Sequence, residues 1–355
     1  MKIGFVIGTL NYSGAEKIAR LLIEALHKKY GHEIGLIIIS GEGPYPEFPY
    51  VKQFPIITEG NKYLQVYKRQ KRIREIVTNE QYDVVISFGV KFNLDTMEAL
   101  KGMNAKVILC ERNDPVSDPH RKILRLRRAL IYPYATGFVF QTKRIAEFFG
   151  DKIARRGTII PNFIEKPLPN LYDENSENII VLTARLDDRQ KNISMLLRAF
   201  NTFTKTHDYH LYIVGDGPDE PKFKQYIKDN NLESRVHLTG RQNVYEYLRK
   251  AQMYVLPSFY EGMPNSLIEA MASGIPCIAT DCSGGGAAEL ITDHENGILI
   301  PNNNEEELVK ALIELADNPE RRKIFSGEAY KLNERLEFNK ILKEWIDYIE
   351  KIAHQ

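Results

Sequence analysis

YVLPSFYEGMPNSLIEAMASGIPCIATD, residues 254–281, contains a strand, a helix and a second strand, and that order sets the architecture. The apolar run 254–256 ends at Pro257, and Gly262 with Pro264 makes a turn that opens a helix near Asn265 or Ser266. The helix stops at Gly274, before a second apolar run over 276–279. Two strands joined through a helix run parallel, because no tight hairpin can connect them, and a parallel sheet needs helices over both faces.

The same alternation extends in both directions. Strands are expected at 179–184, 211–214, 236–238 and 297–300, and in the first half at 2–7, 33–39, 84–87, 106–109, 137–140 and 158–160. After the first strand, Ala15, Ile18, Ala19, Leu22 and Leu26 form one apolar stripe at helical spacing. A chain of 355 residues exceeds twice the usual domain size. NFIEKPLPNLYDENSEN, residues 162–178, follows neither period and reads as the link between two domains. The sequence thus predicts an α/β fold of two doubly wound parallel sheets, over 1–165 and 166–336. A closing amphipathic helix over 337–355, with Ile341, Leu342, Trp345 and Ile349 on one face, needs a surface to cover.

Hydrophobic residues at 43% and charged residues at 27% supply cores of useful size, which excludes wholesale disorder. The three cysteines, Cys110, Cys277 and Cys282, form no CxxC pair and lie near no histidine cluster, so a disulfide scaffold and a structural zinc are excluded and a reducing compartment is expected. The opening KIGFVIGTL reads as a buried strand rather than a signal peptide, and no apolar run is long enough to cross a bilayer, so the chain is expected to be cytoplasmic.

The net charge of +1 hides a split: residues 1–165 hold 26 Lys and Arg against 17 Asp and Glu, leaving 22 against 30 for the rest. The basic half calls for an anionic partner. Its cations are not interleaved with the aromatic platforms of nucleic-acid readers, so no nucleic acid is expected. Arg121, Lys122, Arg125 and Arg128 fall at helical offsets, with Ile123, Leu126 and Leu130 turned elsewhere, and Lys68, Arg69, Lys71 and Arg72 belong to a second cluster. Both are expected to face an anionic membrane surface, making the chain a peripheral membrane protein at the inner face.

Open parallel sheets bind ligands beyond the carboxyl ends of their strands. In the quoted stretch, the first helical turn at Asn265, Ser266 and Leu267 offers unpaired amides to a diphosphate. Glu261 precedes that turn and Glu269 lies one turn further in, so two carboxylates bracket the anion and suit sugar and ribose hydroxyls. In VLTARLDDRQKNISML, residues 181–196, Arg185 and Lys191 can bend towards two phosphates as a fork and a point charge. VGDGP and TGRQN add Gly215 and Arg241 to the same end of the second sheet. In the first domain, Gly8, Ser13 and Gly14 lie between strand and helix without the spacing of a dinucleotide fingerprint. No DxD occurs, so neither metal nor cofactor is expected, and cations with a helix terminus must neutralise the leaving group.

Together these residues resemble the family 4 glycosyltransferases, retaining enzymes of the GT-B fold that move a sugar from a nucleotide donor to an acceptor. The family's E-x7-E pattern falls on Glu261 and Glu269, and its diphosphate-gripping Arg and Lys on Arg185 and Lys191. The resemblance implies two Rossmann-like domains facing a cleft, the closing helix crossing back to the first. It further implies an acceptor-binding first domain and a donor-binding second one. It gives Glu261 the sugar hydroxyls, Glu269 the ribose and Arg241 the base, with Gly14 approaching the diphosphate from the other domain. The expected activity is transfer from a UDP-sugar to a glycan or lipid-linked acceptor in bacterial surface-polysaccharide assembly. A catalytically silent nucleotide-sugar sensor, or an epimerase or phosphorylase of the same fold, is the alternative. Many relatives carry a histidine near the sugar where this chain has CERNDPVSDPH, and Arg112, Asn113 and His120 all remain open for its role.

Overall fold

The computed structural model describes all residues except 11–13, 41, 42 and 44. The chain forms two units, Met1–Phe163 with Phe338–Gln355, and Ile164–Glu337. The sequence predicts divisions at 165/166 and 336/337. The Pro-rich segment after residue 164 is bound to the second unit: the Leu171 amide donates to the Ser273 carbonyl at 2.9 Å and the Leu168 amide to Asn333 Oδ1 at 2.8 Å.

The first unit has seven strands: β1 (Lys2–Ile7), β2 (Glu33–Ile38), β3 (Lys52–Pro55), β4 (Val84–Phe88), β5 (Val107–Glu111), β6 (Gly137–Phe140) and β7 (Gly157–Ile159). All pair in parallel in the order β3-β2-β1-β4-β5-β6-β7, so the winding reverses between β1 and β4. Side chains alternate between two cores: Ile3, Phe5 and Ile7 enter one and Val6 the other. Helix α1 (Gly14–Lys28) and the closing helix Phe338–Ala353 cover the first core; α2 (Lys62–Glu80), α3 (Val90–Leu100) and α4 (Lys122–Ile131) lie over the second. Strand β3 escapes the sequence reading because its four residues, KQFP, are too few to display a period. Ser13 lies outside the described residues, as do the side chains of Gly14 and Ala15.

The closing helix belongs to the first unit, where Ile341, Leu342, Trp345 and Ile349 are buried. Its Tyr348 hydroxyl donates to the Arg156 carbonyl at 2.5 Å and accepts from the Phe138 amide at 2.9 Å.

The second unit has six parallel strands, β8 (Ile179–Thr183), β9 (His210–Val214), β10 (Val236–Gly240), β11 (Met253–Leu256), β12 (Cys277–Asp281) and β13 (Ile298–Pro301). Their order, β10-β9-β8-β11-β12-β13, puts the reversal between β8 and β11. The helix of the quoted stretch runs over Asn265–Ala272, and Gly274 follows at φ +73°, a left-handed residue that ends it. Among the described residues no helix is long and apolar enough to cross a membrane.

Candidate functional site

The reversal point of the second sheet is where a doubly wound fold leaves a crevice, and the loops after β8 and β11 meet there. Backbone bonds join them to their neighbours. The Leu186 amide donates to the Asp216 carbonyl at 2.9 Å, Gly215 N–H to the Gly240 carbonyl at 2.8 Å, and Phe259 N–H to the Gln190 carbonyl at 2.8 Å. Gly215, at φ +143°, lies so close to the loop that a Cβ there would stand 2.0 Å from the Ala184 carbonyl oxygen. The segments carrying Arg185, Gly215, Arg241 and Glu261 are thereby held as one rim.

Lys191 and Glu261 form an ion pair, Nζ to Oε1 at 2.6 Å, with 15% and 9% of their side chains exposed. Ser258 Oγ donates to the same oxygen at 2.7 Å. Taking two charges this far from water is costly unless their remaining bonds are made, and the Ser258 hydroxyl helps meet that need. Glu261 Oε2 has only a 3.5 Å approach from Gln190 Nε2 and retains lone pairs for an incoming hydroxyl. Sequence reasoning missed Ser258 and Gln190; nothing in their spacing marks them, since both act through Glu261. It also missed Gly286, where a Cβ would stand 1.7 Å from the Gly262 carbonyl oxygen, although three consecutive glycines after β12 were a legible sign of close approach.

Arg185 is exposed and makes no ion pair or hydrogen bond through its side chain among the described residues. The helix Asn265–Ala272 has no side-chain hydrogen bond from its N-cap residue, Pro264. Glu269 is half-buried beside Tyr245, whose phenol is pushed up by burial first and by the Glu269 charge second. Arg241 Nε donates to Asp216 Oδ1 at 2.7 Å in an exposed pair that adds little stability. Among the described residues no three His, Cys, Asp or Glu side chains gather into a metal-binding group.

In the first unit the three residues considered for the histidine's role have different surroundings. Arg112 turns inward, its Nη2 bonded to Asn162 Oδ1 and its guanidinium 5.7 Å from the Phe88 ring, and burial lowers it to about 10. Asn113 donates to Asp118 Oδ2 at 3.2 Å, and His120 is exposed. Next to them, Glu111 at the end of β5 is 1% exposed and accepts from Tyr132 Oη and from Asn93 Nδ2, the latter at 3.0 Å.

The expected basic face of α4 is corrected. Arg128 is buried at 4% exposure, donating to the carbonyls of Asp118 at 2.9 Å and Pro115 at 2.8 Å. Arg125 Nε donates to the Pro119 carbonyl at 2.8 Å. Meanwhile Ile123, Leu126 and Leu130, expected to turn elsewhere, are 60%, 56% and 63% exposed. The irregular loop after β5 has carbonyls that need donors, and α4 supplies them from its arginines. Arg69 also departs from the membrane-facing set: it pairs with Asp95 at 2.7 Å with its side chain only 12% exposed. Lys68, Lys71, Arg72, Arg121, Lys122 and Arg125 remain on the surface.

The sequence model described as Glycosyl transferases group 1 matches residues 177–318. The chain is 30% identical over 354 residues to an uncharacterized glycosyltransferase of Haemophilus influenzae, covering 97% of this chain and 98% of the relative. It is 29% identical over 366 residues to a GalNAc-alpha-(1->4)-GalNAc-alpha-(1->3)-diNAcBac-PP-undecaprenol alpha-1,4-N-acetyl-D-galactosaminyltransferase of Campylobacter jejuni, covering 100% and 99%. Among solved structures it resembles Anabaena HepE in complex with UDP, with a TM-score of 0.81, 17% identity and coverage of 99% and 100%.

Proposed function

The chain belongs to the glycosyltransferases, with the GT-B fold, and from that premise we propose that it moves a sugar from a UDP-sugar to a hydroxyl of a lipid-linked or glycan acceptor. The product would enter a bacterial surface polysaccharide. The Lys191–Glu261 pair at the reversal point of the second sheet carries this reading, because it sets a cation for phosphate beside a carboxylate for sugar hydroxyls.

In the proposed reaction the bond from the anomeric carbon to the diphosphate breaks, leaving positive charge on the ring and negative charge on the departing oxygens. Arg185, Lys191 and the amides of Ser266 and Leu267 meet that negative charge, so no divalent ion is required. The acceptor hydroxyl attacks from the face the diphosphate leaves, its proton passes to a diphosphate oxygen, and the anomeric configuration is retained. Glu261 Oε2 accepts from a hydroxyl of the transferred sugar and Glu269 from the ribose.

A panel of nucleotide sugars, incubated with EDTA and a lipid-linked acceptor, tests this. Free nucleotide should appear only with acceptor present. Sugar 1-phosphate formed from a glycan and inorganic phosphate with no nucleotide released, or epimerisation of the donor, would overturn the transferase assignment in favour of a phosphorylase or an epimerase.

We further propose attachment to the anionic inner face of the membrane. The outward Ile123, Leu126 and Leu130 supply apolar contact beside exposed Arg121 and Lys122, a pairing that suits a helix lying in the interface. Sedimentation with phosphatidylglycerol-containing vesicles at low salt should bring the protein down, and Leu126→Ser with Leu130→Ser should reduce binding roughly tenfold or more, each side chain contributing about 1 kcal/mol when half-buried. Equal sedimentation of variant and wild type would remove α4 from the contact.

A further inference from the structure

The rim of the second sheet contains a braced side chain that the transferase chemistry above does not use. Between Arg185 and the long helix Ile193–Phe203 the chain makes a single helical turn, Asp188–Lys191, and then bends at Asn192. Asn192 is 3% exposed and has φ +50°, a left-handed conformation that a residue with a Cβ keeps only where its surroundings hold it. Lys191 stands immediately before the bend, so the angle there governs where its ammonium reaches.

Asp188 spans the bend. Its Oδ1 accepts from the Ser194 amide at 2.8 Å and its Oδ2 from the Ser194 hydroxyl at 2.7 Å. Asn192, at the head of the long helix, makes no side-chain cap bond. The carboxylate of the preceding turn takes that place, at a helix start where negative charge is favoured. Lys222 Nζ adds a bond to Oδ2 at 2.6 Å, and the Asp188 amide donates to Asp219 Oδ2 at 2.7 Å. Asp188 is thereby tied to the helix beyond Asn192 and to the start of the helix Glu220–Asp229. Burial, the largest influence on its carboxyl, opposes the charge, but the bonds from Lys222 and Ser194 together outweigh it and hold the carboxyl below its ordinary value. With 14% of its side chain exposed and its oxygens bonded to Ser194 and Lys222, it is a fixed anchor rather than a solvated surface acid. Its neighbour Asp187 turns instead to Arg189, whose side chain is 82% exposed.

We propose that Asp188 is a positioning residue of the site: by bridging the bend at Asn192 it fixes the reach of the Lys191 ammonium towards the donor's diphosphate. This rests on the reading of the rim as a nucleoside-diphosphate site and adds to it the residue that sets one of its cations.

Calorimetric titration of UDP into the full chain, in buffer with EDTA, tests this on wild type, Asp188→Ala, Lys191→Ala and the double variant, with the melting temperature of each measured alongside. Asp188→Ala should weaken UDP about fivefold to tenfold, a coupling of ordinary size within one hydrogen-bonded network. In the Lys191→Ala background the same change should weaken it by less than about twofold, because the side chain it positions is gone. Asp188→Asn keeps an oxygen for the Ser194 amide and should bind UDP within about threefold of wild type. Ser194→Ala, which removes only the hydroxyl bond, should weaken UDP about twofold to threefold when Lys191 is present and have no effect with Lys191→Ala; this second cycle gives the answer should Asp188→Ala not fold. Wild-type affinity in Asp188→Ala with a lowered melting temperature, or losses that multiply in the double variant, would overturn the positioning role and leave Asp188 as a brace of the fold. Failure of the wild type itself to bind UDP would overturn the diphosphate reading beneath it, whereas UDP binding by the wild type with an indifferent Asp188→Ala removes only the role of Asp188.

Discussion

Arg185→Ala slows sugar transfer by roughly a hundredfold or more, the loss expected when one preorganised donor to a developing negative charge is removed. The side chain is exposed and makes no hydrogen bond or ion pair among the described residues, so the second unit's core does not depend on it. Its loop is fixed by backbone bonds instead, Leu186 N–H to Asp216 O at 2.9 Å and Asp219 N–H to Leu186 O at 3.0 Å. The melting temperature should therefore stay near that of the wild type while turnover falls. Arg185→Lys should recover only part of the rate, because a lysine keeps the charge but loses the planar fork that grips two oxygens at once. Unchanged turnover in purified Arg185→Ala would remove Arg185 from the reaction.

Raising the pH from about 5 to about 8 should cost the wild-type chain about 2–3 kcal/mol of stability relative to Glu111→Gln, with Glu111 as the source. Burial, the largest influence, pushes its carboxyl up to about 7; the hydroxyl of Tyr132, the charge of Arg128 and the amide of Asn93 oppose this, while Asp118 reinforces it. Since the folded value lies above the unfolded one, the protonated form stabilises the fold. That contribution is complete below the ordinary carboxylate range and is lost as the pH rises through about 7. Urea midpoints at four pH values for both chains measure the difference. Parallel pH profiles would show that Glu111 does not change its protonation on folding.

Much of the fold was legible because parallel strands buried on both faces announce themselves as short apolar runs. The helix after β11 was read from Gly262, Pro264 and Gly274 alone, and it lies where those residues put it. Helical periodicity is weaker evidence: it identifies stripes but not which stripe faces in. Helix α4 carries both an arginine set and a leucine stripe, and hydropathy favours burying the leucines. The structure does the reverse, because the carbonyls of Pro115 and Asp118 and the carboxylate of Glu98 draw Arg128 and Arg127 inward. Those partners lie 10 to 29 residues away in sequence, and no local pattern points to them. The second sheet's rim was legible for the same reason as its strands, since Arg185, Lys191, Glu261 and Glu269 follow strand ends. Ser258 and Gln190, which orient Glu261, became visible only with the side chains in place.

Calorimetric titration of UDP into the protein, in buffer containing EDTA, tests most directly whether the rim of the second sheet grips a nucleoside diphosphate through side-chain cations and helix amides. One UDP should bind per chain, with an affinity that added magnesium does not improve and that Arg185→Ala weakens by about tenfold or more, as expected for a lost charge-assisted contact. Binding that appears only with a divalent ion, or that is the same in Arg185→Ala, would contradict it.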